Sequence, residues 1–561
     1  MTIDYQTLAL PYSAPPECGT SDVPHRPVIV VGGGPVGLTL AIDLARYGTP
    51  VLLLDEDDKL SNGSRAICFA KRTLEIWDRL GCGARMAAYG VSWKKGKVFF
   101  GDRLIYAFDL LPETGHRHPA FVNLQQYYAE GFLYDHALAQ PDVEMRWKNK
   151  VVGVDMSPEC AVVTVETPDG DYRLSCDYVV ACDGSRSPVR EMLGLKCSGQ
   201  TFRDRFLIAD IRMRADLPVE RRFWFDPPFH RNGSALMHRQ PDNIWRIDFQ
   251  LGWDADPVAE RQPERVIPRI RAMLGNDAAF ELVWCSVYTF SCTRLDHFRY
   301  GRAFFAGDSA HVVSPFGARG ANSGVQDADN LAWKLHYVLQ GHAPDRLLDT
   351  YCAERERAAD ENIAHSTRSA DFLTPKSEMS RIFRDAVLSL AKDHGFARKL
   401  VNSGRLSTPT TLADSPLNTP DGERFRGTMV PGAPGADGPT MMNGKQDWFL
   451  RHLGGRFVAV HFVAAADDAG PPAPQTTGAH DQGAAVVGPP VHELIVRVAE
   501  LRGARAANGE AIDVDGLLAE RYDATPGTTY LFRPDQHVCA RWRRYDPTVI
   551  RAAVARATCA D

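Results

Sequence analysis

Residues 26–56 leave the chain few folds to choose from. Residues 26–31 (RPVIVV) read as a buried strand that runs straight into Gly32-Gly33-Gly34-Pro35-Val36-Gly37. Leu38, Leu40, Ala41, Leu44 and Ala45 then recur at helical spacing up to Gly48, and a second apolar run, 51–54, ends in Asp55 and Glu56. Strand, G-x-G-x-x-G turn, helix, strand and acid in this order form the opening unit of a dinucleotide-binding α/β fold. Gly32 permits the tight turn and Gly34 lets the backbone approach a pyrophosphate. Gly37 lets helix and strand pack closely, and the acid is placed for a ribose hydroxyl.

A second stretch, 301–339, has the same grammar. An apolar strand at 303–306 breaks at Gly307-Asp308, and a loop carrying Pro315, Gly317 and Gly320 follows. Val325, Ala328, Leu331, Ala332, Leu335, Val338 and Leu339 then predict a helix, with Asn322 or Ser323 as its N-cap. A helix N-terminus reached through glycines favours an anion or partial negative charge.

Between these stretches the pattern predicts helices at 71–80 and 125–139 and strands at 143–154, 160–167 and 172–181. Segment 206–290 is strand-rich: 206–214, 221–225, 234–238, 244–250 and 282–290, interrupted by a helix near 263–274. It reads as a second domain inserted before the chain returns to the first. Helices are expected at 345–370 and 377–402. Residues 446–561 suggest a small α/β domain with strands at 456–463, 512–515 and 529–533, a helix at 491–501 and a long loop at 464–490. The expected boundaries are 26–200 and 301–407 for the dinucleotide domain, 201–300 for the inserted sheet, 408–445 for a linker and 446–561 for the last domain.

A chain of 561 residues with a net charge of −6 carries no basic patch suited to nucleic acid or membrane surfaces, and no run approaches a transmembrane length. Its 12 cysteines form no CxxC and no zinc spacing. With no secretory leader legible at the N-terminus, reduced thiols and a cytoplasmic location are expected. No HExxH and no GxSxG is present, so neither a metal nor a nucleophile triad is expected.

GGGPVG at 32–37, CDGSRSPVR at 182–190 and GDSAHVVSPFGARGAN at 307–322 stand together in one order. The trio resembles the single-component FAD-dependent aromatic hydroxylases, the p-hydroxybenzoate hydroxylase and phenol hydroxylase family, over nearly the whole chain. YLFRPDQHVCARW at 530–542 is similar to the thioredoxin-like tail of the phenol hydroxylase branch; without a CxxC it implies no dithiol chemistry. The resemblance implies a Rossmann-like FAD-binding domain, an inserted β-sheet substrate domain and a thioredoxin-like C-terminal domain.

It also implies roles. Gly32, Gly34 and Gly37, with Pro35 in the same turn, would receive the FAD pyrophosphate, and Asp55, beside Glu56, the adenosine ribose. Arg65 and Gln126 match residues at the ribityl side, and Asp183-Gly184 match a motif serving FAD and NAD(P)H. Asp308 would bond a ribityl hydroxyl. Gly320, Ala321 and Asn322, following Pro315, would offer backbone N–H groups to the flavin ring. Ser314, Ala318 and Arg319 depart from the family loop, and 67–71 lacks the acid that some relatives carry there.

The implied reaction uses NAD(P)H and O2 to hydroxylate a phenolic or other aromatic small molecule through a C4a-hydroperoxyflavin. Epoxidation, Baeyer–Villiger-type insertion and dehydrogenation are alternatives on the same fold, and a non-catalytic flavin scaffold is a further one. The family allows a homodimer. A phenolic substrate calls for a proton acceptor; Tyr288, His230, His238 and Asp248 are the candidates, with Tyr288 and His238 as the pocket residues selected. Arg246 and Asp248 share one face of a strand, expected to be solvated with a weak ion pair, while Trp245, Ile247 and Phe249 take the core side. His311 is expected to bond backbone, and 354–357 (ERER) to form a solvated helix face.

Overall fold

A computed structural model of the chain describes residues 5–61, 63, 65–401, 407–464, 489–498 and 509–561. The first sheet is built on parallel strands whose apolar runs are buried on both faces, as parallel strands require. Gly170–Ala181 lies between Ala303–Phe305 and His25–Val31, followed by Val51–Asp55 and Val143–Trp147. The helices Pro35–Arg46 and Gly320–Leu339 pack on each other.

Register decides what this sheet does. Val31 pairs with Ala181, and Ala181 with Phe305. Three parallel strands therefore end at one level, and the turns that follow, at Gly32, Cys182 and Ala306, meet at the sheet's carboxyl edge. That edge is where open α/β sheets hold their ligands. The approach is close: a methyl at Gly32 would stand 2.5 Å from the Cys182 carbonyl oxygen, and one at Gly324 would stand 2.6 Å from a Val36 methyl.

The second sheet has eight strands in the order His311–Val312, Glu281–Leu295, Cys197–Arg212, Ile244–Leu251, Ser234–Arg239, Arg221–Phe225, Lys95–Phe100 and Arg103–Asp109. It is wider than the 201–300 segment expected to hold it. The hairpin 95–109 joins its far edge, with Lys95–Phe100 parallel to Arg221–Phe225. One face packs Leu207, Ala209, Trp245, Ile247 and Phe249 under the helix Pro263–Leu274. The other face looks back toward the first sheet.

The third sheet has seven strands and includes Phe457–Ala464, Thr529–Phe532 and Val538–Trp542. The helix expected at 491–501 is instead the strand Val491–Val498, parallel to Phe457–Ala464. Val491, Leu494, Ile495 and Val498 fit helical spacing, but Leu494 and Val496 are the residues buried, which is a period of two. The loop expected at 464–490 and residues 499–501 lie almost wholly outside the described residues. The ERER segment is also corrected: in the helix Asp349–Leu373, Glu354 and Arg355 are buried rather than solvated, because each meets charges brought from other elements.

No helix among the described residues is long and apolar enough to cross a membrane. No group of acids, histidines and cysteines among them is arranged to hold a metal ion.

Candidate active site

A cleft of about 710 Å³ opens at the carboxyl edge of the first sheet and is closed on its far side by the second. Its first wall is the glycine turn. Gly34 precedes the helix Pro35–Arg46 with no side-chain cap, so the first-turn N–H groups are left for a ligand. An added methyl at Gly34 meets no protein atom within 4 Å. At Gly37 it would stand 1.9 Å from the Gly32 carbonyl oxygen, and Gly37 is not part of the cleft wall. Gly37 thus takes the close-packing part of its expected role, and the ligand-facing part of the turn lies at Gly32, Gly34 and Pro35. Asp55 accepts the Gly33 N–H at 2.5 Å and the Asp57 N–H at 2.8 Å. Burial lifts its carboxyl to about 6 against those two bonds.

The second wall comes from 183–188. Asp183 accepts the Val189 N–H through one oxygen, while its other oxygen is buried without a partner. Gln126 accepts the Ala66 N–H and donates to Ser61 and Glu130, which holds Ser61 and Ala66, and with them Arg65, along the cleft.

The third wall is 306–322. Asp308 faces the cleft, and the low polarity around it raises its carboxyl. Its turn is pinned from behind. Asp327 accepts the Gly307 N–H (3.0 Å), His311 Nε2–H (2.7 Å) and Arg355 Nε–H (2.7 Å). Burial would raise the Asp327 carboxyl, but these partners hold it at about 2. His311 therefore bonds a carboxylate, not backbone as expected. The helix begins at Gly320, and Asn322 is not its N-cap. Asn322 is a clamp instead. Its Oδ1 accepts from Ala70 N–H and Thr73 O–H, and its Nδ2 donates to the carbonyls of Cys68 and Ala318. With Asn322 held so, the first-turn N–H groups of Gly320, Ala321 and Asn322 lie at the cleft. Phe316 anchors the loop on the second sheet, edge-on to Phe206 and Phe290. Ser314 is buried with its hydroxyl unpaired, Ala318 takes a left-handed φ of 53°, and Arg319 donates to Asn362.

The fourth wall is the open face of the second sheet. Arg222 pairs with Met237, placing Arg221 opposite His238; His238 pairs with Arg246, and Arg246 with Asp210. Arg221, His238, Arg246 and Asp210 thus form one row across four strands, with Asp248 and Ile208 in the next. This face is buried, not solvated: Arg246 is 4% exposed and bonded to Asp210 at 2.9 and 3.1 Å. Burial, added to the two neighbouring guanidinium groups, keeps His238 neutral, well below the usual histidine range. Tyr288 lies at the cleft on Glu281–Leu295, while His230 bonds the Gln250 carbonyl away from it.

Apart from Gly37 and His230, every residue expected at the site lines this one cleft, including Pro35, Glu56, Gly184 and Pro315. Arg221 and Trp284, which line it too, were missed. Arg221 stands at a strand's start beside Arg222, where charge usually means solvent, and only cross-strand register reveals its direction. The residues fit FAD: a glycine cradle open to the cleft, two uncapped helix N-termini for phosphate and ring, and acids for the hydroxyls of ribose and ribityl.

Comparison with known proteins agrees. Residues 25–366 match the FAD binding domain family. The chain is similar to 6-methylpretetramide 4-monooxygenase of Streptomyces rimosus, 32% identical over 96% of this chain and 94% of that protein. It is also similar to 3-(3-hydroxy-phenyl)propionate/3-hydroxycinnamic acid hydroxylase of Burkholderia cenocepacia, 30% identical over 65% of this chain and 67% of that one. Its fold is similar to that of the flavin-dependent monooxygenase PieE, solved with FAD and substrate, with a TM-score of 0.77 at 21% identity over 96% and 99% of the two chains. The chain belongs to the FAD binding domain family and is an FAD-dependent aromatic hydroxylase.

Proposed function

We propose that this hydroxylase binds FAD along the first three walls of the cleft and an aromatic substrate against the fourth. In this reading the turn 32–35 and the helix behind it take the pyrophosphate, and Asp55 the adenosine ribose. Asp308, Arg65 and Gln126 take the ribityl side. The N–H groups of Gly320, Ala321 and Asn322 face the flavin ring, where the helix N-terminus favours negative charge. Bound there, FAD supplies electron exchange with NAD(P)H and activation of O2, which no side chain present can supply. The protein's part is position, charge and exclusion of water. Phe206, Phe290 and Phe316 close one end of the substrate side with apolar surface. Asp327 fixes the Asp308 turn without touching the cleft.

The observation that carries this reading is the meeting of three motifs, far apart in the chain, at one end of three parallel strands facing a polar sheet surface. All 12 cysteines are free, which supports work in a reducing, cytoplasmic setting. The test is direct. Purified protein is expected to be yellow, and NADH or NADPH to bleach it without oxygen, faster when a suitable phenol is present. A colourless protein that ignores added FAD would overturn the reading.

A further inference from the structure

Two buried groups at the fourth wall have no partner. Arg221 is 7% exposed and lines the cleft, yet its guanidinium makes no hydrogen bond or ion pair among the described residues; the Asp248 carboxyl acts on it only at a distance. Asp248 lines the same face with one carboxyl oxygen buried and unbonded. The neighbouring charges are settled, since Arg246 and Asp210 satisfy each other. A guanidinium and a carboxyl, both desolvated and both unpaired, are costly to keep unless a ligand completes them.

That ligand must offer negative charge to Arg221 and a proton to Asp248. An ionisable hydroxyl on an unsaturated ring does both. We propose that the substrate is a phenol or enol docked by its hydroxyl on this row, where Asp248 accepts the hydroxyl proton and Arg221 pairs with the oxygen left behind. The O–H bond breaks, its electron pair stays on the substrate oxygen, and the proton ends on the Asp248 carboxyl. The inference rests on the hydroxylase reading, which supplies the aromatic ring.

His238 is the poorer acceptor, because a proton on it would add a third cation between Arg221 and Arg246. Tyr288, at 42% exposed, stands at the rim. Arg221, His238, Arg246 and Asp210 on the sheet, and Cys68 opposite, are the titratable or charged groups facing Asp248. Burial, opposed by the two arginines, lifts its carboxyl to about 6, near enough to neutrality to take a proton and return it.

The test uses FAD-loaded enzyme with 4-nitrophenol and alizarin, whose anions absorb at longer wavelength than their neutral forms, against the corresponding methyl ethers. At about pH 6 the wild type is expected to bind at least one phenol as its anion, roughly tenfold or more tighter than its ether. Arg221→Met is expected to lose the anion band and roughly ten- to hundredfold in affinity, with Arg221→Lys recovering part of both. Asp248→Asn is expected to bind pre-formed anion at about pH 9 and fail to generate it at about pH 6. Flavin content and melting temperature of each variant report folding. Equal binding of phenols and ethers, no binding of either, or an anion band that survives in Arg221→Met overturns the proposal. Flavin that NAD(P)H cannot bleach sinks the hydroxylase reading; flavin that is bleached yet indifferent to ionisation sinks only this inference.

Discussion

Asp327 shows how much a residue can matter to the cleft without lining it. It sits fully buried between His311, Arg355 and the Gly307 N–H, and so fixes the turn that presents Asp308. Replacing it with asparagine leaves a buried guanidinium short of its counter-charge, a loss of about 3–5 kcal/mol. The pH dependence has a definite sign. The folded carboxyl titrates at about 2, below its ordinary 3.8, so its contribution is complete above the ordinary value and lost as pH falls toward 2. That contribution is about 2 kcal/mol. Urea midpoints of wild type and Asp327→Asn are therefore expected to differ most at neutral pH, with the gap narrowing by about 2 kcal/mol as pH falls below about 4. A gap that stays constant into acid would mean the carboxylate is not held as described. FAD affinity should fall in the variant as well, because Asp308 loses its support.

At the scale of the element, the glycine turn divides into a ligand side and a packing side. A methyl at Gly34 enters open cleft, while one at Gly37 collides with backbone. Gly34→Ala is therefore expected to melt with the wild type in the absence of FAD and to bind FAD at least roughly tenfold more weakly, by titration of flavin fluorescence. Gly37→Ala is expected to lose several kcal/mol of stability, or to fail to fold, whatever flavin is added. Equal behaviour of the two would refute the division. This turn was legible in the sequence because its signals are local: an unbroken apolar strand, glycines at fixed offsets, a helix and an acid. The strand Val491–Val498 was not legible as one, since its apolar residues satisfy helical and strand spacing alike and only pairing with Phe457–Ala464 decides. Arg221 and Glu354 failed for a related reason. Charge on a strand or helix reads as solvent until its partners, or the lack of them, are known, and those lie in other elements.

For the whole molecule, the buried charges say how the third sheet belongs to the rest. Glu354, on the helix Asp349–Leu373, accepts from Lys334 at 2.8 Å and from Arg533, which also pairs with Asp535. Arg72 donates to the Asp535 carbonyl and to Gln536, and Trp333 to the Asp535 carboxylate. The turn 533–536 thus delivers one acid and one base into the back of the helix Gly320–Leu339, the same helix whose front end lines the cleft. Apolar contacts run beside it, from Trp333, Tyr337 and Leu347 to Phe457, Leu531 and Ile550. Removing the C-terminal unit would strand Glu354 beside Lys334 without Arg533 and bare that apolar strip. A chain ending near residue 407 is therefore expected to be insoluble or to lose FAD, not to persist as a smaller flavoprotein. Glu354→Ala is the gentler probe: it leaves Arg533 and Lys334 buried with one acid fewer, at a cost of about 3–5 kcal/mol. If the third sheet and the helix Gly320–Leu339 are one cooperative unit, this variant should show flavin release and loss of far-ultraviolet circular dichroism together on heating, as a single earlier transition. Two separated transitions, with flavin retained through the first, would show that the C-terminal unit is a passenger.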